Sequence, residues 1–545
     1  MGAVLLLVLL IGVALAPAAA TPVAPDLVKS TVFEYDPGTG NVPPTSQVDG
    51  AGDVGEPITA EGRVMTTGDQ IMGCDALRAH GITGTGIRIG VISDGVDGAT
   101  AAQTSGDLGW VYTIRDDLGG GEGTAMLEII HDIAPGATLY FHDSGKDSSE
   151  FIGAIDALVA AGCTVIVDDI SKMYQPYFEK GEIAAHLENL TATRRLIYVT
   201  SAGNFGVAHW QGPVRINNEG LQDFSGTGYD HPYLYANVPN GATLAVYLQW
   251  DEPFGSAADD FDIILVDSAT QEPLWNEPLR TSVRPNRSSD PCEVFVWTNQ
   301  DGNDLDYDVE IQVRHNGSAG NARNLEMYTH LDYWDAMRPD NLIASDGIFG
   351  HAAVPDVITV AAVNANAPDT IEPFSSHGPS TILFPTYSII QKPDISAPDF
   401  VNVTGYGRFG SPFPGTSAAA PHIAALCALV WSARPDLSPA DIRSALYASA
   451  VDLGEPGYDN VYGWGRADAV AMYNQLATGK PVNTEPPSVF RKFYPKGGPA
   501  SGSIGGTVIR QDASVGVPDS PIALPTTSPR KPPAQRFIRW YPGDN

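Results

Sequence analysis

Between Ile87 and Thr200 the chain repeatedly switches its hydrophobic period. Residues 87–92, 138–141, 164–167 and 196–200 are short apolar runs of strand length, whereas 126–133, 151–161 and 183–194 carry their apolar residues at helical spacing. Apolar strands separated by helices predict a parallel sheet covered on both faces, because antiparallel neighbours would be joined by short hairpins instead. A short helix over 75–80 and the glycine-rich loop Gly81 to Gly86 lead into the first strand. The pattern resumes at 357–362 and closes with two helices, one over 440–449 opened by Ser438-Pro439, the other running from Asp468 to Leu476. The expected fold class is therefore α/β, a parallel sheet with helices on both faces.

That pattern is interrupted. From residue 235 to 328 short alternating runs, among them 243–247, 261–266, 293–297 and 309–313, are separated by turn clusters such as Asn299-Gln-Asp-Gly-Asn303. An all-β sandwich inserted into the α/β unit accounts for this. The expected organisation is an α/β domain formed by residues 71–205 and 346–477, with the sandwich occupying 206–345. Residues 1–20 run almost wholly apolar from Val4 to Ala16 and end in Ala18-Ala19-Ala20-Thr21, the pattern of a signal peptide and its cleavage site. Residues 21–70, rich in Pro, Gly, Thr and acids, read as a lead-in or short pro-segment. No later segment reads as a membrane span, so a secreted, extracellular protein is expected. Residues 478–545 are rich in Pro, Gly and Ser, carry nine Lys or Arg against four Asp or Glu, and are expected to be disordered.

Charge narrows the partners. With 64 acidic and 31 basic residues the net charge is -33, which repels nucleic acid and anionic membranes alike. Secretion, high salt and low working pH are all compatible with it. The four cysteines, Cys74, Cys163, Cys292 and Cys427, show neither metal spacing nor a dense disulfide framework, and Cys163 and Cys427 lie in apolar runs that suit buried thiols. Asn189, Asn286, Asn316 and Asn402 head Asn-x-Ser/Thr acceptor sites. Asp259-Asp260-Phe261-Asp262 offers oxygen ligands for a structural calcium, although acids opening a surface strand explain the cluster more simply. No other cofactor or metal site is indicated.

The chemistry concentrates in Gly415-Thr416-Ser417-Ala418-Ala419-Ala420-Pro421-His422, a serine at the mouth of an apolar helix. This segment resembles the serine motif of the subtilisin-like proteases. Gly121-Glu122-Gly123-Thr124-Ala125 falls where that family has its histidine motif, so Glu122 stands in the histidine's place. His131, nine residues farther along the same predicted helix and so about 13 Å away, and His422 read as structural. After the first strand, Ser93 fills the position of the family's orienting aspartate and Asp94 follows it; Asp94 is preferred over Asp97 for that role. Ser201-Ala202-Gly203-Asn204 is similar to the family's oxyanion segment, and Asp169, after Val165-Ile-Val-Asp168, falls where the family lines its substrate cleft. Phe374-Ser-Ser-His-Gly-Pro379, Lys392-Pro-Asp-Ile-Ser-Ala-Pro398 and Tyr462-Gly-Trp-Gly-Arg-Ala467 resemble its scaffold segments. The resemblance covers roughly residues 70–205 and 350–475.

A glutamate base for serine resembles the arrangement of the sedolisins, which share the fold. Two departures stand out: Met126 occupies the place of their helix acid, and Asn204 that of their oxyanion aspartate. The resemblance implies a subtilisin-like fold and a serine endopeptidase, acid-active, with Ser417 as nucleophile, Glu122 as general base, Asp94 holding or sharing its proton, and Asn204 with the Ser417 N–H binding the oxyanion. Its partner would be a protein or peptide substrate, with the insert a further surface for substrate or partner protein. Two competitors remain at this point, a catalytically inactive binding protein on the same fold and a transpeptidase or cyclase.

Overall fold

The structure, a computed structural model, describes residues 28–29, 62–225, 231–274, 290–299, 306–317, 320–331, 342–408 and 410–477. The signal-peptide pattern, almost all of the lead-in before residue 62, Asn286 and the basic tail lie outside the described residues.

A two-residue strand β1 (Val28–Lys29) is followed by helices α1 (Thr67–Met72) and α2 (Cys74–Arg78). Helix α1 begins within what reads in the sequence as lead-in. Its signal is Thr66 at the N-cap, whose hydroxyl accepts the Gly68 N–H, with Asp69 in the first turn. Then come β2 (Arg88–Ser93), α3 (Ala99–Ser105), β3 (Val111–Arg115), α4 (Glu122–Ile133), β4 (Thr138–Asp143), α5 (Ser148–Ala160), β5 (Val165–Asp168), β6 (Ile170–Ser171), α6 (Glu182–Thr193) and β7 (Ile197–Ser201). The predicted strands and helices of this stretch are present, and α3, β3 and the two-residue β6 are additions. Strand β3 is the sheet edge and leaves Tyr112 and Ile114 exposed, so it lacks the continuous apolar run of the inner strands. Strand β1 pairs antiparallel with β6, Val28 opposite Ser171.

The chain next builds two antiparallel sheets from β8 (His209–Pro213), β9 (Leu234–Val238), β10 (Thr243–Trp250), β11 (Phe261–Asp267), β12 (Cys292–Thr298), β13 (Tyr307–His315) and β14 (Asn324–Leu331). One has the order β12-β10-β14-β8 and the other β11-β13-β9. Val246, Leu248, Phe295 and Met327 from the first meet Leu234, Ile263, Leu265 and Ile311 from the second in one apolar core, the arrangement of a sandwich. The chain then returns through a 3₁₀ turn (Gly350–Ala353) to β15 (Ile358–Asn364), a small hairpin of β16 (Ser380–Ile382) and β17 (Ser388–Ile390), β18 (Ile395–Asp399), α7 (Thr416–Ala433), α8 (Pro439–Ala448) and α9 (Ala469–Ala477).

The central sheet has seven strands in the order β18-β15-β7-β5-β2-β4-β3, and every pair is parallel. Its two faces are read directly from strand alternation: in β2, Val91 joins the core under α4 and α7, and Ile92 joins the one under α5 and α6. Helix α7 is long and apolar enough to cross a bilayer by composition, with mean hydropathy 1.3, contrary to the sequence expectation that no such segment follows residue 20. It is instead the central core helix, 89% buried against β5, β7, β15 and β18. All four cysteines are free thiols and buried.

Candidate active site

The loops that leave β2, β5 and β7 at their carboxyl ends carry Asp94, Asp169 and Asn204, and helices α4 and α7 start at the same end with Glu122 and Ser417 near their N-termini. Clefts at the carboxyl ends of parallel strands are where open α/β sheets place their ligands. Helices α4 and α7 pack against each other, so their N-terminal turns are neighbours.

Strand β2 ends at Ser93, and the backbone turn after it buries both Ser93 and Asp94 while leaving Asp97 exposed. Asp94 Oδ1 accepts the N–H groups of Gly95 at 2.6 Å, Glu122 at 3.0 Å and Gly123 at 3.3 Å. It is thus a capping carboxylate for α4, supplied from another strand because Gly121 at the N-cap has no side chain to do it. Gly120 is required beside it. At φ 116° a side chain is strained, and a Cβ there would run into Asp94 Oδ2.

Glu122 is the first residue of α4 and fully buried. Met126, one turn on, is buried core. Farther along, Glu128 bonds the Thr404 N–H at 2.7 Å and its hydroxyl at 2.5 Å, tying α4 to the loop after β18. Burial pushes Glu128 up to about 7, against these two hydrogen bonds.

Asp168, the last residue of β5, and Asp169, just after it, face opposite ways, as successive strand residues do. Asp168 accepts Thr200 Oγ1 at 2.9 Å and the Ile170 N–H at 3.0 Å, and lies 3.1 Å from His351 Nε2, which makes it scaffold. Asp169 accepts the Ser93 hydroxyl at 3.2 Å through Oδ2 and is fully buried. Asp169 therefore stands next to the strand end that leads into Asp94, a contact not evident from the sequence. The one available signal is the hydroxyl of Ser93 in a place expected to hold an acid.

Ser417 is the second residue of α7 and fully buried. Gly415 caps the helix at φ 99°, ψ 163°, a conformation open essentially to glycine alone. Thr416 donates to Asn204 Oδ1 from its N–H at 3.1 Å and its hydroxyl at 2.8 Å. Both bonds fix the amide so that Asn204 Nδ2 is the free end, and that nitrogen is buried with no acceptor among the described residues. A buried donor held beside a serine in this way suits an anion that arrives with substrate. His422 lies elsewhere: Nε2 meets Thr66 Oγ1 at 2.9 Å and Nδ1 the Ala418 carbonyl at 2.7 Å, and burial lowers it to about 4.

In the insert, burial raises Asp259, but the Ala322 N–H and His315 outweigh it and leave the carboxyl below its ordinary range. Among the described residues no group of three or more His, Cys, Asp or Glu gathers as a metal site.

Residues 279–465 match the model of the subtilase family, peptidase S8. Among curated proteins, subtilisin-like protease SBT4.7 of Arabidopsis thaliana is 33% identical over 135 residues, which is 21% of this chain and 18% of that protein. Subtilisin-like protease SBT4.4 of the same plant is 34% identical over 130 residues, 20% of this chain and 17% of that protein. The chain thus spans less than a fifth of the length of these curated relatives. Among solved structures, the CspB protease of Clostridium perfringens is similar at TM-score 0.48 and 14% identity, covering 74% of this chain and 95% of its own. MycP1 with its N-terminal propeptide removed is similar at TM-score 0.38 and 17% identity, covering 75% and 96%. The matched segment contains β15, β18, Gly415 and Ser417, and over that segment the chain is similar to the subtilase family.

Proposed function

We propose that this protein is a secreted serine endopeptidase that cleaves peptide bonds through an acyl-enzyme on Ser417. The observation that carries the reading is the Asn204 amide: Thr416 holds its oxygen, and its buried NH₂ is left to donate one residue away from the serine. In the proposed cycle Glu122 takes the Ser417 proton as the hydroxyl attacks, and Asn204 Nδ2 with the Ser417 N–H binds the oxyanion. Glu122 then gives the proton to the leaving amine. Asp94 orients the end of α4 that presents Glu122, and Asp169 borders the cleft. A carboxylate base has to be ionised, yet works close to its own titration, so activity is expected in the acidic range. The apolar N-terminus supports export and the acidic surface is compatible with it. Labelling by a fluorophosphonate tests this reading against an inactive binding protein: the wild type should label and Ser417→Ala should not, whereas equal labelling of the two contradicts it.

A further inference from the structure

We infer that Asp399 is a positioning residue for the nucleophile turn: its carboxyl and that of Glu372 share one proton, and in that state Asp399 holds the Gly415 N–H from which α7 starts. This rests on the reading of Ser417 as nucleophile. Asp399 is the last residue of β18 and is fully buried. Its Oδ2 accepts the Gly415 N–H at 2.9 Å. Its Oδ1 is buried and finds no hydrogen-bond partner among the described residues, although the side chain beside it is another carboxyl, Glu372.

The fold puts the second carboxyl there. In the parallel register Asn364 lies opposite Asp399, and the chain doubles back after β15, pairing Ile371 with Val363 and placing the Glu372 N–H 2.9 Å from the Ala362 carbonyl. Asn364 Nδ2 donates to Glu372 Oε1 at 2.6 Å, and Glu372 is 7% exposed. Two ionised carboxylates are acceptors only, and repel in a medium this dry; with one proton between them they can bond. Burial, followed by the Glu372 charge, pushes Asp399 up to about 9. Burial likewise raises Glu372, against hydrogen bonds from Asn364 and Asp399.

Other charged groups on the packed elements are engaged elsewhere. In the segment that leads into β18, Lys392 pairs with Asp394 at 2.6 Å. On α1, which packs on β18, Asp69 pairs with Arg78. On α7 the titratable groups are His422, bonded to Thr66 and Ala418, and the buried thiol Cys427. Arg466, bridged to Ser396, reaches the Ile71 carbonyl and Asp369. Glu372 is thus the charge that governs Asp399. Loss of the shared proton sets two negative charges against each other behind Gly415, a residue whose backbone conformation needs to be held.

The test compares wild type with Asp399→Asn, Asp399→Ala and Glu372→Gln, following fluorophosphonate labelling of Ser417 and the unfolding midpoint from about pH 5 to about pH 10. Asparagine copies the protonated acid, accepting from Gly415 and donating to Glu372. Asp399→Asn should therefore label but lose the wild-type decline as pH passes about 9, and Glu372→Gln should lose that decline too. Asp399→Ala should label on the order of tenfold to a hundredfold more slowly at every pH, from misplacement of the serine alone. The midpoint gives an independent reading. A carboxyl raised by folding stabilises fully below its unfolded value, and that stability is lost as pH rises through the folded value, so wild type should fall more steeply with pH than Asp399→Asn. Labelling of Asp399→Ala at the wild-type rate, or an unchanged alkaline decline in both amide variants, overturns the inference. Should the alanine variant not fold, the two amide variants decide. Absence of labelling even in wild type refutes the catalytic reading instead, and the midpoints then decide on the pair, identical slopes overturning it.

Discussion

At the scale of single residues, the site is a set of side chains each fixed by a backbone group of another element. Asp94 takes N–H groups from the start of α4, and Asn204 takes the N–H of Thr416. The second case predicts a specific kinetic effect. If Asn204 binds the oxyanion as proposed, Asn204→Ala removes a donor that acts only at that stage, and peptide hydrolysis should slow by about a hundredfold to a thousandfold in kcat with KM little changed. A change confined to KM in steady-state kinetics would place the residue in substrate binding instead. Gly415, Ser417, Glu122 and Asn204 were legible as candidates for this proposed site, because they sit in local motifs whose residue types imply their backbone settings. What was not legible depends on side chains from distant strands meeting. Asp169 is 76 positions from Ser93, and no local pattern could announce that its carboxylate meets that hydroxyl while its neighbour Asp168 turns away to Thr200 and His351.

At the scale of elements, α4 is held at two points by acids: Asp94 caps its start, and Glu128 ties its middle to Thr404. Glu128 has a folded-state value raised to about 7, chiefly by burial. The sign follows from linkage: the stability is complete below the ordinary glutamate range and is lost as pH rises through about 7. Between those limits the wild type should lose stability on the order of 3 kcal/mol more than Glu128→Gln, read from chemical denaturation at a series of pH values. Parallel slopes would show that Glu128 is not the titrating group. Strand and helix existence was legible wherever burial is two-sided, as in β2, β5 and β7. Edge strand β3 and the short α1 and α3 were not, since half-exposed or single-turn elements leave little periodic signal.

At the scale of the whole molecule, a sandwich of two antiparallel sheets is spliced between β7 and β15 of a seven-stranded parallel sheet. The switch from helical to alternating period made that legible, although strand β8 is short and carries Pro213, so its pairing with β14 was not. The net charge of -33 acts on the molecule as a field of like charges. Added salt should therefore raise the unfolding midpoint, most strongly up to about 0.15 M, where the screening length is about 8 Å. A midpoint independent of salt would mean that the acids are paired locally. The central claim, that a buried carboxylate activates Ser417, is tested most directly by measuring fluorophosphonate labelling and peptide cleavage for wild type and Glu122→Gln under acidic conditions. The glutamine variant should fold, keep Ser417 in place and lose about a hundredfold to ten-thousandfold in rate; undiminished rates in that variant would rule out Glu122 as the base.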